Sequence, residues 1–169
     1  MEQKIINKVA GSGIETIDLE SFIPKEEIVV FDLKNYLFRE LILKEKDFRE
    51  ALKSLDFSIY KNKIVSIYCS TDAIIPVWAF MLVAGYLQPI CKAIYFGTKT
   101  ETLTRIILEE INSINIEDYR LKRVVIKGCG DIEIPASAYV EITKILKPLV
   151  KSLMYGEPCS TVPIFKNNI

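Results

Sequence analysis

Apolar and polar positions along this chain switch between two rhythms. "KIVSIY" at 63–68 and "KRVVIK" at 122–127 are short β-branched runs bounded by polar residues, the pattern of buried strands. Farther on, Ala138, Tyr139, Ile142, Ile145, Leu146 and Leu149 recur at helical spacing, while Ser137, Glu141, Lys144 and Lys147 fall on the other side. This predicts an amphipathic helix. The segment 73–91, "AIIPVWAFMLVAGYLQPIC", holds nineteen residues without a charge. Its prolines, Pro76 and Pro89, bracket a helix of about three turns, too short to cross a bilayer. It reads as the most buried helix of the domain, or as one covered by a second subunit.

These patterns recur at a fixed offset. Sliding the chain by 59 residues aligns 60–97 with 119–156 without a gap, and 12 of the 38 positions are identical, too many for chance. Among the matches are Tyr60/Tyr119, Lys63/Lys122, Asp72/Asp131, Pro76/Pro135, Leu87/Leu146, Pro89/Pro148 and Gly97/Gly156. Such self-similarity marks one supersecondary unit used twice. Each copy reads as strand, turn, helix, strand, the last strands being 92–97 and 151–156.

A helical segment precedes each copy. "DFREALKSL" opens with Asp47 and Glu50 in capping-box spacing, and "TLTRIILEEINSI" carries Leu103, Ile106, Ile107 and Ile111. Strict alternation of helix and strand predicts an α/β layered domain with a mixed, largely parallel sheet built from the repeats 60–97 and 119–156. "IETIDL" and "EIVVFDL" add two strands, read as an antiparallel edge, and 34–44 reads as a further helical piece. The length of 169 residues suits one core. The expected organisation is thus a single domain over 1–169, with N-terminal strands and helix in 1–44, repeat units in 45–97 and 101–156, and a C-terminal tail in 157–169.

Composition narrows the chemistry. Twenty-two basic residues balance twenty-two acidic ones, so no global field favours nucleic acid, and neither nucleic acid nor a membrane is an expected partner. Histidine is absent, which removes Ser-His-Asp and Cys-His catalysis and His-ligated zinc within one chain. "MEQKIINKVAGSG" lacks the apolar core of a secretory signal, so the expected location is cytoplasmic, with reduced thiols. No Cys-x-x-Cys, Walker A loop or Gly-x-Gly-x-x-Gly occurs, and neither Cys69 nor Cys129 is followed six residues later by arginine.

Three of the four cysteines share an address. Cys69 follows the strand at 64–68, Cys129 the strand at 123–127, and Cys159 the strand at 151–155. In one parallel sheet all three would reach the strand C-terminal ends, the edge where open α/β folds bind ligands. Cys-Ser-Thr occurs at 69–71 and again at 159–161, placing the hydroxyls of Ser70, Thr71, Ser160 and Thr161 beside two of the thiols. Asp72 and Asp131 stand near as helix caps or as a fourth ligand. Thiolates suit a soft metal, an iron–sulfur cluster or a persulfide. Cys91 aligns with Val150 and reads as a small hydrophobe.

"YCSTDAIIPVWAFML", "VVIKGCGDIEIP" and "AYVEITKILKPLVKSLMYGEPCSTVP" closely resemble a family of small bacterial proteins known as domain of unknown function 2480, over nearly the whole chain. The resemblance implies no established activity. It implies an association with iron–sulfur cluster assembly, and so iron–sulfur assembly proteins as partners. Three functional classes follow from the residues and the resemblance together. The first is an accessory factor in iron–sulfur or sulfur metabolism using Cys69, Cys129 and Cys159. The second is a small-molecule or anion-binding module at the helix starts near Pro76 and Pro135. The third is a homodimeric structural adaptor without catalysis, its surface the charge-free helix at 76–88, and a homo-oligomer is the expected state. A conventional enzyme is least favoured, because no nucleophile is paired with a base.

Overall fold

Because a β-branched run buried on both faces needs neighbours on both edges, each copy of the repeat must recruit a strand from outside itself. The computed structural model describes residues 13–128, 130, 132–157 and 159–167. Within them the chain runs β1 (Ile14–Asp18), β2 (Ile28–Asp32), α1 (Glu45–Ser54), β3 (Ile64–Tyr68), α2 (Val77–Leu87), β4 (Ala93–Phe96), α3 (Lys99–Ser113), β5 (Arg123–Lys127), α4 (Ala136–Leu146), β6 (Ser152–Glu157) and β7 (Ser160–Lys166). The α/β class and the largely parallel strands are those the alternation predicts, distributed over two sheets. One has the order β2-β3-β4 and is wholly parallel; the other has the order β1-β5-β6-β7 and is mixed.

By packing, the chain divides into a continuous unit, Pro24–Leu103, and a split unit made of the segment up to Ile23 together with Thr104 onward. Each repeat copy centres one unit. In the continuous unit, Phe31, Leu33, Phe48, Leu52, Val65, Val83 and Leu87 form one buried cluster. In the split unit, Val124, Val125, Ile126, Ile142, Leu146 and Leu153 are buried. Each such side chain removed from water contributes about 2 kcal/mol.

The duplication reaches further than the sequence match shows. α1 corresponds to the last ten residues of α3 at the same offset of 59, and the 3-10 turns Phe57–Tyr60 and Ile116–Tyr119 correspond as well. Main-chain hydrogen bonds repeat with it: Lys92 N donates to Lys63 O and Lys151 N to Lys122 O, at 2.8 and 2.7 Å. The recruited strands also correspond. β2 pairs with β3 from Ile28 opposite Ile64, and β1 pairs with β5 from Ile14 opposite Arg123, the equivalent starting position. Each ends in Asp-Leu and a 3-10 turn whose first amides are gathered by that aspartate: Asp18 accepts from Glu20 N, Asp32 from Lys34 N. The first strand therefore serves the second copy, and the second strand the first.

Several local expectations change. β1 and β2 are parallel to their neighbours, because hydropathy reports burial and not strand direction. The antiparallel edge is β7, in the segment expected as a tail; Pro163 is tolerated there because an edge strand need not donate every amide. Residues 34–44 hold no α-helix: a 3-10 turn at Leu33–Tyr36 leads to a tight loop bridged Phe38 to Ile42, and Arg39 and Glu40 take left-handed backbone, φ 51° and 59°. The capping box lies at Thr98 and Glu101, not at Asp47 and Glu50. Glu101 Oε2 accepts from Thr98 N at 2.7 Å and Thr98 Oγ1 accepts from Glu101 N at 3.2 Å, whereas α1 starts at Glu45 behind Lys44 without a side-chain cap.

Candidate functional site

In the continuous unit, the C-terminal ends of the parallel strands carry Asp32, Cys69, Ser70 and Gly97. Asp32 Oδ1 accepts from Ser70 N at 3.0 Å and from Lys34 N at 2.9 Å, tying the ends of β2 and β3 together. Burial works to raise the Asp32 pKa, but the hydrogen bonds from Ser70 and from the Lys34 amide, with the Lys34 charge, outweigh it and hold the carboxyl below its usual range. Buried Ser66, on β3, donates to the Gly97 carbonyl and so joins β3 to the turn after β4. Asp32 is the organising group here. The sequence signal that could have found it is the Asp-Leu pair at 18–19 and 32–33, each closing a strand.

At the equivalent edge of the split unit, Lys127 Nζ meets Asp18 Oδ2 at 2.9 Å. The hydrogen bond from Lys127 to Asp18, and then the negative charges of Asp18, Glu157 and Glu20, raise the Lys127 pKa. The Glu20 carboxylate lies against Gly130 so closely that any Cβ there would collide with it. Tyr139 donates to the Gly128 carbonyl at 2.9 Å, fixing the chain just after β5.

The expected site residues distribute as follows. Cys69 directly follows β3 and packs, half-buried, against the aromatic core of the continuous unit. Cys159 lies exposed in the turn between β6 and β7 of the split unit. Cys129 and Asp131 lie outside the described residues. Ser70 is exposed and its main-chain N–H is tied to Asp32; the Thr71 main-chain carbonyl accepts from Ala73 N at 2.9 Å. Asp72 is exposed and does not cap α2, whose first residue follows Pro76 without a side-chain cap. Ser160 pairs with Glu157 across the hairpin, and Thr161 donates to Met154 Sδ at 3.7 Å. Among the described residues no three Cys, Asp or Glu side chains gather closely enough to hold a metal ion. Burial raises the Cys91 pKa, which suits a small hydrophobe.

The helices present a different feature. α2 buries Ala79, Val83 and Leu87 on one face, and its opposite face leaves Val77 74% and Met81 69% exposed, with Ile74, just before it, 93% exposed. α2 has the smallest share of exposed residues among the four helices, yet one face is left open. On α4, the positions equivalent to Val77, Met81, Gly85 and Gln88 hold Ala136, Val140, Lys144 and Lys147. One copy of the helix is built for water, the other is apolar all round. Trp78 is half-buried between Phe48, at 6.2 Å between ring centroids, and the Arg49 guanidinium, at 5.6 Å, and belongs to the core.

Beside each helix lies a groove. In the split unit it measures about 320 Å³, lined by Ile126, Tyr139, Thr143, Leu153, Met154 and Tyr155 and bordered by Ile164 of β7. In the continuous unit, Ile67, Phe80, Ala84, Ile94, Tyr95 and Phe96 line the equivalent groove of about 250 Å³ together with Met81. A cavity of about 400 Å³ lies between the loop at Leu41–Leu43 and the segment Asp72–Pro76. Among the described residues no helix is long and apolar enough to cross a membrane.

Compared with known proteins, residues 3–167 match the model of a family described as protein of unknown function, DUF2480. No curated protein and no solved structure matches the chain.

Proposed function

We propose, from the premise that the chain belongs to the DUF2480 family, that it acts as a self-associating adaptor whose contact surface is the exposed face of α2. The observation that carries this reading is the run Ile74, Val77, Met81: large apolar side chains, highly exposed, on a helix without a single charge. On α4 the equivalent positions hold Glu133, Ala136 and Val140, and lysines follow at 144 and 147, where α2 has Gly85 and Gln88, so only α2 lacks charge along this face. The partner class is a second copy of the chain. Light scattering on the purified protein gives about twice the 19.3 kDa chain mass, and Met81→Glu returns it to the single-chain value, because an unpaired carboxylate buried in an apolar contact is strongly unfavourable. Met81 is the position to change; Trp78, being part of the core, would confound folding with association. A wild-type protein that stays monomeric at high micromolar concentration would refute the reading.

A sulfur-handling role is the second reading, favoured by one observation. Cys69 and Cys159 each lie just past the C-terminal end of a strand in a parallel pair, and Cys159 is exposed to an external partner. On this reading Cys69, Cys129 and Cys159 serve a soft metal, an iron–sulfur cluster or a persulfide, in the cytoplasm, alongside iron–sulfur assembly proteins. Anaerobic purification with iron, sulfide and zinc analysis, followed by serine at each cysteine, tests it. Metal-free protein whose thiols react independently would exclude it.

A further inference from the structure

We infer that two copies meet through α2 packed on α2 across a twofold axis, with Gly85 at the point of closest approach; this rests on the self-association reading above. Val77, Met81 and Gly85 stand four residues apart and so share one face of the helix. Gly85 is exposed in the last turn of α2, at a helical position where glycine is less favourable than alanine. Nothing among the described residues accounts for it. Its φ is not positive, and a Cβ built on it meets no atom within 4 Å. The twin position on α4 is Lys144, so the unit accommodates even a long side chain there. What glycine adds is access: two helix backbones approach most closely where no side chain separates them.

The occupant follows from charge. Residues 73–91 are the longest uncharged run in the sequence, and a charged surface set against them would bury charge without a partner. The α4 face of another copy is disfavoured, because covering it would strip water from Lys147 and from the Lys144–Glu141 ion pair with no charge on α2 to compensate. A self-complementary contact brings the same uncharged face to itself, as a twofold interface does. Ile74, with Leu41 and Ile42 across the adjoining cavity, extends the apolar area at the start of the helix. That moves the contact toward the roughly 800 Å² per partner that stable dimers bury.

Sedimentation equilibrium on the full chain tests the crossing. Gly85→Leu, which adds bulk without charge, raises the dimer dissociation constant by about tenfold or more. Gly85→Lys, which copies the twin helix, does so at least as strongly. In a Met81→Glu background, Gly85→Ala raises the denaturant midpoint, showing that glycine is a handicap to the isolated fold. A dimer whose dissociation constant is unchanged by Gly85→Leu overturns the close crossing while leaving self-association intact. Loss of the dimer with Gly85→Lys but not with Gly85→Leu overturns it too, since the face would then be covered without close approach. A monomeric wild type overturns both readings.

Discussion

Asn62 and Leu121 stand 59 residues apart and share a left-handed backbone, φ 59° and 58°. Both donate the main-chain N–H to an equivalent carbonyl, Asn62 to Ile90 and Leu121 to Leu149. Asparagine tolerates this conformation and leucine does not, at a cost of about 1–2 kcal/mol. Leu121 is 73% exposed, so its side chain offers little packing in return. Leu121→Asn is expected to stabilise the protein by about 1 kcal/mol, read as a higher urea midpoint with unchanged slope. At Asp32 the folded pKa lies below the ordinary value, so its charge contributes stability above the unfolded pKa of about 3.9 and loses it as pH falls through the folded pKa. Asp32→Asn keeps an acceptor and removes the charge. Urea titrations should therefore show the variant weaker at pH 7 and the difference closing below about pH 4; a gap constant with pH would show that the charge is not what matters.

At the scale of elements, Gly97 and Gly156 end equivalent strands with φ of 124° and 113°, a region open only to glycine. Their surroundings differ. A Cβ at Gly156 would stand 2.7 Å from the main-chain oxygen of Ser160 in the β6–β7 hairpin, while one at Gly97 would meet the end of the Glu101 side chain at 2.9 Å. Both alanine variants carry backbone strain of about 2 kcal/mol. Gly156→Ala is expected to lose more, because a strand cannot step aside as a side chain can; thermal melts of the pair decide this. β3, β5, α2, α4, β4 and β6 were legible because the offset of 59 let two weak patterns support each other. β7 was not, having no counterpart in the other copy and a proline inside it. For α2 the pattern left two readings, buried or covered by a second subunit, because an all-apolar helix does not mark its outer side, and only neighbouring elements reveal which side nothing covers.

At the scale of the molecule, the division into two units decides how the candidate chemistry is arranged. Cys69 and Cys159 do follow strand ends, but the pattern could not say that copies sharing a sequence would nucleate separate sheets. That depended on β1 and β2, whose partners lie 109 and 36 residues away by the pairings Ile14 with Arg123 and Ile28 with Ile64 and are invisible to any local window. The continuous unit owns its strands, its helices α1 and α2 and its core. A fragment of residues 24–113, extended to complete α3, is expected to unfold cooperatively on heating when monitored by circular dichroism. A featureless melt would mean that the unit needs the rest of the chain. Residues 114–167 alone are expected to fail the same test, since β5 would lose the neighbour it has in β1.

The recruitment of β1 by β5 also sets a timetable for synthesis on the ribosome. Everything required for the β2-β3-β4 sheet has been made by Phe96, whereas β1, translated earlier still, has no docking place until Lys127 has emerged. A strand carrying Ile14 and Ile17 must therefore wait, its edges unpaired, until the second copy of the repeat has been made. Slowing elongation between Phe96 and Lys127 should prolong that exposure and increase capture of nascent chains by chaperones that bind unpaired strands.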